Sequence, residues 1–210
     1  MTGDAPAPHL SETARLETFC DGVFAIAITL LVLEIHVPQL GAEASSAALA
    51  RLLVQNWPSY LGYVLSFVVI GIMWANHHSI FRYVRRTDRY FLLLNVGFLM
   101  CVAFLPYPTA VLARYLPESG AQRAAVATYS GTLFVIALAF NAVWWYAMLH
   151  PALVGPHADR EGMRTITRRY ALGPVSYAVT VGLAFVNVWA CLGLHGLLAL
   201  LYLLPEQRHR

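Results

Sequence analysis

One stretch near the N-terminus decides the fold, and it reads Arg15-Leu-Glu-Thr-Phe-Cys-Asp-Gly-Val-Phe-Ala-Ile-Ala-Ile-Thr-Leu-Leu-Val-Leu-Glu-Ile35. No charged residue interrupts the run from Gly22 to Leu33, which supplies most of a bilayer crossing. Charged residues lie at both ends of this run, where burial is costly unless they are partnered or hydrated. A membrane helix with charges at its ends suggests a functional role in addition to packing.

The composition of the whole chain supports a membrane location. Of its 210 residues, 59% are hydrophobic and 12% are charged, whereas about a quarter of the residues in a soluble domain are charged. This indicates an integral membrane protein with the lipid bilayer as its surroundings, and we expect no nucleic acid among its partners. The cysteines Cys20, Cys101 and Cys191 all fall in apolar segments without paired spacing, which argues against a disulfide framework.

The apolar segments predict an all-α integral membrane protein with six transmembrane helices in one repeat. Four helices are predicted at about 16–35, 58–81, 90–112 and 124–149. The run 170–204 is roughly twice the length of one crossing, so we predict a hairpin of two short helices with its turn near 187–193. Leu49, Leu52 and Leu53 repeat at helical spacing in the connection 39–56, which suggests a segment on the outer membrane surface.

The predicted domain organisation is a flexible tail over 1–14, a six-helix transmembrane domain over 15–205 and a C-terminal tail over 206–210. A cleaved signal peptide is the rival interpretation of the N-terminus, with Ala42-Glu-Ala44 as a weak cleavage-like site. The first 15 residues do not form the positive region that such a peptide requires, because Arg15 is set against Asp4 and Glu12.

Arginine distribution predicts the orientation in the membrane, because short cytoplasmic loops collect positive charge. The chain has 14 basic residues, all of them arginine. Eleven of these fall in the N-terminal tail, the 82–89 loop, the 157–169 loop and the C-terminal tail, against Arg51, Arg114 and Arg123 on the opposite side. Both termini are therefore predicted to be cytoplasmic.

The opening motif resembles that of a known family. Arg15, Phe19, Cys20 and Asp21 match the pattern Arg-x-x-x-Phe-Ser-Asp, with Cys20 in place of the serine, and an apolar helix follows. This pattern is similar to the signature of the transmembrane-protein-175 family, the lysosomal and bacterial potassium channels without a carbonyl selectivity filter. The resemblance implies a multi-pass protein of the bacterial inner membrane with potassium ions as its partners, six helices per subunit, cytosolic termini and four subunits when each carries one repeat.

The same resemblance assigns the pore. In the family the first helix lines the ion pathway, and its bulky apolar residues form the constriction. Ile26, Leu30 and Leu33 have the spacing of one helical stripe and are the candidates here, with Thr29 beside them as a hydroxyl contact for the ion. From the residues alone, such a stripe is typical of packing between helices. Glu34, at the outer end, is either part of a ring of negative charge in a symmetric assembly or an interfacial residue that reaches water.

The charges at the inner end predict an interhelical network. Arg15 and Asp21 are about 9 Å apart along the helix, so each should reach another helix. The expected partners are Asn76, His77 and His78 in the second helix. Adjacent histidines point about 100° apart and cannot easily bind one ion, so we expect no metal and no cofactor.

Other motifs carry weaker signals. Thr180-Val-Gly-Leu183 superficially resembles a potassium-channel filter, but it lacks the Tyr-Gly half and lies in a continuous apolar run. His195, alone in an apolar segment, is more typical of a packed residue than of a ligand.

The function predicted from the sequence is a potassium-permeable cation channel built from several copies of this chain. A proton-coupled transporter or proton-leak pathway, with Asp21, His77 and Glu34 as a relay, is the alternative. An enzyme is disfavoured because the chain offers no pairing of a nucleophile with a base and no metal constellation.

Overall fold

The computed structural model describes residues 12–41, 45–154 and 160–203. In these ranges the chain forms eight α-helices, and a 3-10 turn, Leu31–Glu34, extends the first of them. The helices are α1 Glu12–Leu30, α2 Ser46–Gln55, α3 Trp57–Phe81, α4 Arg89–Phe104, α5 Pro106–Tyr115, α6 Gln122–Leu149, α7 Arg160–Val186 and α8 Val188–Leu203.

Some of the sequence predictions fall outside this description. Residues 1–11 of the predicted N-terminal tail, the predicted C-terminal tail 206–210 and the cleavage-like site at 42–44 lie outside the described residues. The first helix begins at Glu12, inside the segment predicted as a tail.

Six apolar segments account for the membrane-spanning architecture. Five are long and apolar enough to cross a bilayer: Thr13–Glu34, Trp57–Phe81, Arg89–Tyr115, Gln122–Leu149 and Glu161–Val186. The sixth is α8, whose 16 residues span about 24 Å, slightly less than the hydrocarbon thickness of a bilayer. The predicted all-α membrane fold is confirmed.

The third crossing is broken where the sequence predicted one helix. α4 ends at Phe104 and α5 begins at Pro106, with the amide of Leu105 donating to the Val102 carbonyl at 3.0 Å. Proline has no amide hydrogen, and its ring clashes with the carbonyl four residues earlier, so the regular ladder stops there. The predicted third crossing is therefore one apolar span, Arg89–Tyr115, interrupted at Leu105.

The fifth membrane crossing, α7, is longer than predicted. Residues 157–169 were expected to be an arginine-rich loop, but α7 begins at Arg160 and carries Arg164, Arg168 and Arg169. A helix satisfies its own backbone hydrogen bonds and can extend past the lipid, while long arginine side chains reach water. Charge in the sequence therefore did not mark where this helix begins.

The predicted hairpin at the end of the chain is confirmed, with its turn at Asn187. The Cys191 thiol donates to the Thr180 carbonyl at 3.1 Å, so α8 folds back along α7. Asn187 alone separates the two helices, and its side-chain oxygen accepts from the Ala190 amide at 3.0 Å. Asparagine side chains favour helix starts of this kind because they satisfy a free amide in the first turn.

A proline in α7 is compensated by a side chain of α6. Pro174 lies inside α7 and has no amide hydrogen for the carbonyl of Tyr170, four residues earlier. The Asn141 side chain supplies the missing donor, with Nδ2 at 3.0 Å from the Tyr170 carbonyl and at 2.9 Å from its own Ala137 carbonyl. This contact fixes the rotation of α7 against α6.

We expect Asn141→Leu to lower the stability of the folded protein. Leucine is close to asparagine in size but cannot donate, so the hydrogen bond from α6 to the Tyr170 carbonyl would be lost, at a cost of about 0.5–1.5 kcal/mol. Thermal unfolding of the detergent-solubilised protein measures this. Thr132→Val on α6 is the matched control, because the Thr132 hydroxyl is exposed and donates only to the Thr128 carbonyl of its own helix. Equal melting temperatures for the two variants would contradict the assigned role.

Candidate functional site

α1 has two distinct faces. Its inner face is buried against α3 and α4 and carries Leu16, Cys20, Phe24, Ala27 and Leu31. The residues that recur on the opposite face are exposed in the single chain although most are apolar. These are Arg15, Phe19, Ile26, Thr29, Leu30 and Leu33.

The candidates for the pore all lie on this outer face. Ile26 is 61% exposed, Leu30 40% and Leu33 71%. Ile28 turns away from them and packs against the core, where it is partly buried. The outer face of α1 is therefore a continuous apolar surface along which the described part of one chain places no covering helix.

Thr29 lies on the same face, one turn after Ile26. Its hydroxyl bonds within the helix, with Oγ1 at 3.0 Å from the Ala25 carbonyl and 2.9 Å from the Ile26 carbonyl. Because the hydrogen is donated to the helix backbone, the oxygen lone pairs remain available on the exposed side. Thr29 can therefore act as an acceptor toward a cation.

Asp21 connects α1 to α3 through a residue that the sequence analysis did not select. The indole Nε1 of Trp74 donates to Asp21 Oδ1 at 2.8 Å. The expected partners were Asn76, His77 and His78, and the structure places none of them in that role. The rotation of α3 about its axis brings Trp74, which lies one turn before His77 and His78, opposite the Asp21 carboxylate.

A second contact between the same helices involves Glu17, which was also missed. His78 Nδ1 lies 2.7 Å from Glu17 Oε1, and the His78 ring packs on Trp74 with 6.4 Å between ring centroids. Glu17 precedes Asp21 by four residues and so shares its side of α1. That spacing, read together with the motif, was the signal available in the sequence. Two acidic residues of α1 are thus held by two aromatic residues of α3.

His77 is buried in an aromatic cluster, which is the environment of a packing residue. Its Nε2 lies 2.9 Å from Asn95 Oδ1, and the Asn95 amide nitrogen donates to the Phe91 carbonyl at 2.8 Å. Because the Asn95 nitrogen is already a donor, its oxygen accepts and His77 Nε2 carries the hydrogen. The rings of Phe24, Phe81 and Phe98 surround the imidazole, with centroids 5.1 to 5.5 Å away.

The other motif residues lie in different surroundings. Cys20 is fully buried on the inner face of α1, so its sulfur faces neighbouring helices and not the exposed stripe. Arg15 and Phe19 are exposed and line a groove between α1 and α4, next to Asp88 and Arg89. Arg15 and Asp21 therefore point to different neighbours.

Asn76 and Glu34 lie apart from the contacts of Asp21. The backbone carbonyl of Asn76 accepts from the Tyr170 hydroxyl at 3.1 Å, and the residue borders a cavity on the α7 side of α3. Glu34 ends the 3-10 turn, where its carbonyl accepts from His36 Nδ1 at 3.0 Å. Its side chain is partly exposed just beyond the C-terminal end of α1.

The weaker motifs have structural roles. Thr180 lies inside α7, and its hydroxyl donates to the Tyr177 carbonyl at 2.8 Å, so this segment is a regular helix as predicted. His195 is buried, with Nε2 2.8 Å from Ser130 Oγ, as expected for a packed residue. Among the described residues, no group of three or more His, Cys, Asp or Glu side chains is arranged to hold a metal ion.

Comparison with known proteins places this arrangement in a family. The family described as endosomal/lysosomal potassium channel TMEM175 matches residues 15–106. A protein from Streptomyces collinus, named as a potassium channel, is 49% identical over 193 residues, which are 92% of each chain. A protein from Gallus gallus, named as the endosomal/lysosomal proton channel TMEM175, is 35% identical over 142 residues, covering 65% of this chain and 28% of that one.

A solved structure agrees over nearly the whole chain. The crystal structure of a lysosomal potassium-selective channel TMEM175 homolog from Chamaesiphon minutus matches with a TM-score of 0.82 and 44% identity. The match covers 91% of this chain and 96% of that chain. Because the motif, the helix order and the full-length similarity all agree, this chain belongs to the TMEM175 family of ion channels.

Proposed function

We propose that this chain is one subunit of a potassium-permeable cation channel whose pore is lined by the outer face of α1. The observation that carries the proposal is the continuous exposure of Ile26, Leu30 and Leu33 on a helix whose other face is buried. The names of the relatives support potassium as the permeating ion. Family membership points to a channel and away from an enzyme.

A closed pathway requires several copies of the chain. One chain contributes one α1, and a single exposed stripe cannot enclose an ion. Copies arranged around an axis would bring their α1 stripes together and bury them. We propose a tetramer, in keeping with the four subunits expected for a chain with one six-helix repeat. In this proposal residues 15–205 are the transmembrane channel domain of each subunit, of which the structure describes 15–41, 45–154 and 160–203.

Apolar side chains at the constriction would oppose ion passage in a simple way. Ile26, Leu30 and Leu33 carry no group that can replace hydration water, so an ion passing them must keep its water or lose part of it at a cost. Potassium is dehydrated more easily than sodium, which favours its passage. Thr29 would supply one oxygen beside this apolar ring, and Glu34 would draw cations to the outer entrance.

The test of this function is a reconstituted flux measurement. Purified protein in liposomes with opposing potassium and sodium gradients should show a reversal potential close to the potassium equilibrium potential. A reversal potential midway between the two equilibrium values would mean a non-selective pore, and no current above empty liposomes would overturn the channel proposal.

Proton permeation is the second candidate, and a specific observation supports it: the animal relatives are named as proton channels. A pH gradient in the same liposomes, read with an internal pH dye, distinguishes the two ions. If the dye reports acidification of the liposome interior with potassium-free buffer on both sides, the protein has a proton pathway. Acidification that requires potassium exit would instead indicate charge compensation by a potassium channel.

We further propose that the protein lies in the bacterial inner membrane with both termini in the cytoplasm, because eleven of the 14 arginines lie in the segments assigned to that side. A C-terminal reporter that is active only in the periplasm should therefore be silent, and one that is active only in the cytoplasm should give signal. The opposite pattern would reverse the orientation and would place Asp21 at the outer end of the pore.

A further inference from the structure

Exposed arginines that the proposed function does not use lie at one end of the helix bundle, on the α3–α4 connection and on the first turns of α7. We call them the arginine patch: Arg82, Arg85, Arg86, Arg89, Arg164 and Arg168. None of these side chains forms a salt bridge within the part of the chain that the structure describes. The patch is therefore a surface of positive charge without internal compensation.

The carboxylate nearest to the patch in sequence is already engaged. Asp88 Oδ1 accepts from the Phe91 amide at 2.7 Å and so caps the start of α4. Its Oδ2 accepts from the Tyr146 hydroxyl at 2.9 Å. Both oxygens thus have partners, and Asp88 holds the start of α4 to α6 without pairing with an arginine of the patch.

The first half of the patch has a fixed backbone. The Leu153 carbonyl, in the connection after α6, accepts from the amides of Arg85 and Arg86 at 2.8 and 3.2 Å. Next to this contact, Val84 and Val154 form an antiparallel bridge. The connection between α3 and α4 is therefore tied to the connection between α6 and α7.

The second half of the patch is joined to the first through α6. The ring of Tyr83 packs edge-on against Trp144, with 5.8 Å between ring centroids. Trp144 Nε1 in turn donates to the Thr167 hydroxyl at 2.9 Å. Thr167 lies between Arg164 and Arg168 on α7, so both groups of arginines belong to one surface.

The arginines of α7 stand at the head of an apolar stripe. Leu172, Val175 and Val179 follow Arg168 at intervals of four, three and four residues, which keeps all four on one side of the helix. Their exposed fractions are 59%, 62% and 55%. α7 packs chiefly against α6 and α8, so this stripe lies apart from the exposed face of α1. A cationic end followed by an apolar stripe complements an anionic amphiphile.

Tyrosines beside the patch mark the level of the lipid headgroups. Tyr90 follows Arg89 and is 68% exposed. The Tyr202 ring, near the end of α8, lies 5.9 Å from the guanidinium carbon of Arg169. Tyrosine is enriched where the apolar part of a membrane meets water, because its ring is apolar and its hydroxyl is polar. The patch therefore lies where a phosphate group of the bilayer can reach it.

We propose that the arginine patch binds anionic phospholipids of the cytoplasmic leaflet, with the lipid phosphate against the arginines and an acyl chain along the stripe of Leu172, Val175 and Val179. The planar guanidinium group of arginine matches the geometry of a phosphate and can donate two parallel hydrogen bonds to it. The orientation proposed above serves only to name the leaflet. Lipid binding does not depend on ion conduction, so it stands or falls separately from the channel function.

The test compares two lipids around the full-length protein. Phosphatidylcholine nanodiscs that contain the protein and a trace of spin-labelled lipid report, by electron paramagnetic resonance, the fraction of label held at the protein surface. Spin-labelled phosphatidylglycerol should be held more than spin-labelled phosphatidylcholine. Equal fractions for the two labels in the unmodified protein would overturn the proposal.

Two double variants test the two halves of the patch. Arg85→Gln with Arg86→Gln keeps the backbone contacts to Leu153, and Arg164→Gln with Arg168→Gln changes exposed positions of α7, so neither depends on the folding of the other. Each should reduce the preference for phosphatidylglycerol. An arginine near an anionic surface contributes roughly fivefold in affinity, which corresponds to about 1 kcal/mol. An unchanged preference in both variants would contradict the assigned surface.

Arg114→Gln with Arg123→Gln is the matched control. It removes the same charge from exposed positions at the other end of the bundle, and its preference should equal that of the unmodified protein. An equal loss in the control would mean that net charge acts and not the patch. Free glycerol phosphate at constant ionic strength should leave the preference unchanged, whereas its loss would assign the patch to soluble phosphates and overturn the lipid proposal.

Discussion

Replacing Ile26 by asparagine is expected to raise potassium flux and to weaken the preference for potassium over sodium. Ile26 is the first residue of the apolar stripe on the exposed face of α1, and an amide there would hydrate the constriction. Removing about 1.4 kcal/mol from a dehydration barrier increases the rate roughly tenfold. Sodium should gain more than potassium, because it loses water less readily. Liposome flux and reversal potentials measure both effects.

Ile28→Asn is the matched control on the same helix. Ile28 is two residues away, about 200° around the axis, and it packs against the core of its own subunit. An amide at this partly buried position would have no prepared partner, at a cost of up to about 1–3 kcal/mol, so the yield of folded protein should fall and the properties of any remaining pore should be unchanged. If Ile28→Asn opened the pathway while Ile26→Asn behaved as the unmodified protein, the assigned pore face would be wrong.

The second large effect is expected for Asp21→Ala, which should reduce the amount of assembled channel. Asp21 accepts the Trp74 indole hydrogen at 2.8 Å and so ties the middle of α1 to α3. Hydrogen bonds to a charged group are worth about 1.5–3 kcal/mol, and without this one α1 would be held less firmly in the position needed to close a ring. Size-exclusion chromatography of the solubilised protein measures the assembled fraction.

Trp74→Phe removes the hydrogen bond to Asp21 but keeps the Asp21 charge, so it separates the two effects. Phenylalanine keeps an aromatic ring beside His78 but has no donor, so assembly should fall in the same direction as in Asp21→Ala, and the ion preference of the channels that do assemble should change little in either variant. Normal assembly of Asp21→Ala combined with altered selectivity would mean that Asp21 acts on the ion directly.

The sequence by itself determined the features that depend on local composition and on helical period. Apolar length predicted the membrane segments, and the doubled apolar run predicted the final hairpin, whose turn is at Asn187. The period of α1 placed Ile26, Leu30 and Leu33 on one face and Ile28 elsewhere, because a helix has a fixed angle per residue. The motif around Arg15 and Asp21 identified the family.

Only the tertiary structure decided which side chains meet. The partner of Asp21 is Trp74 and not a histidine, Glu17 meets His78, and Asn95 accepts from His77. Each pairing depends on the rotation and the relative depth of two helices, which are set by packing along their whole length. The Asn141 contact that replaces the hydrogen bond lost at Pro174 has the same origin, because residues far apart in sequence meet only once α6 and α7 are packed.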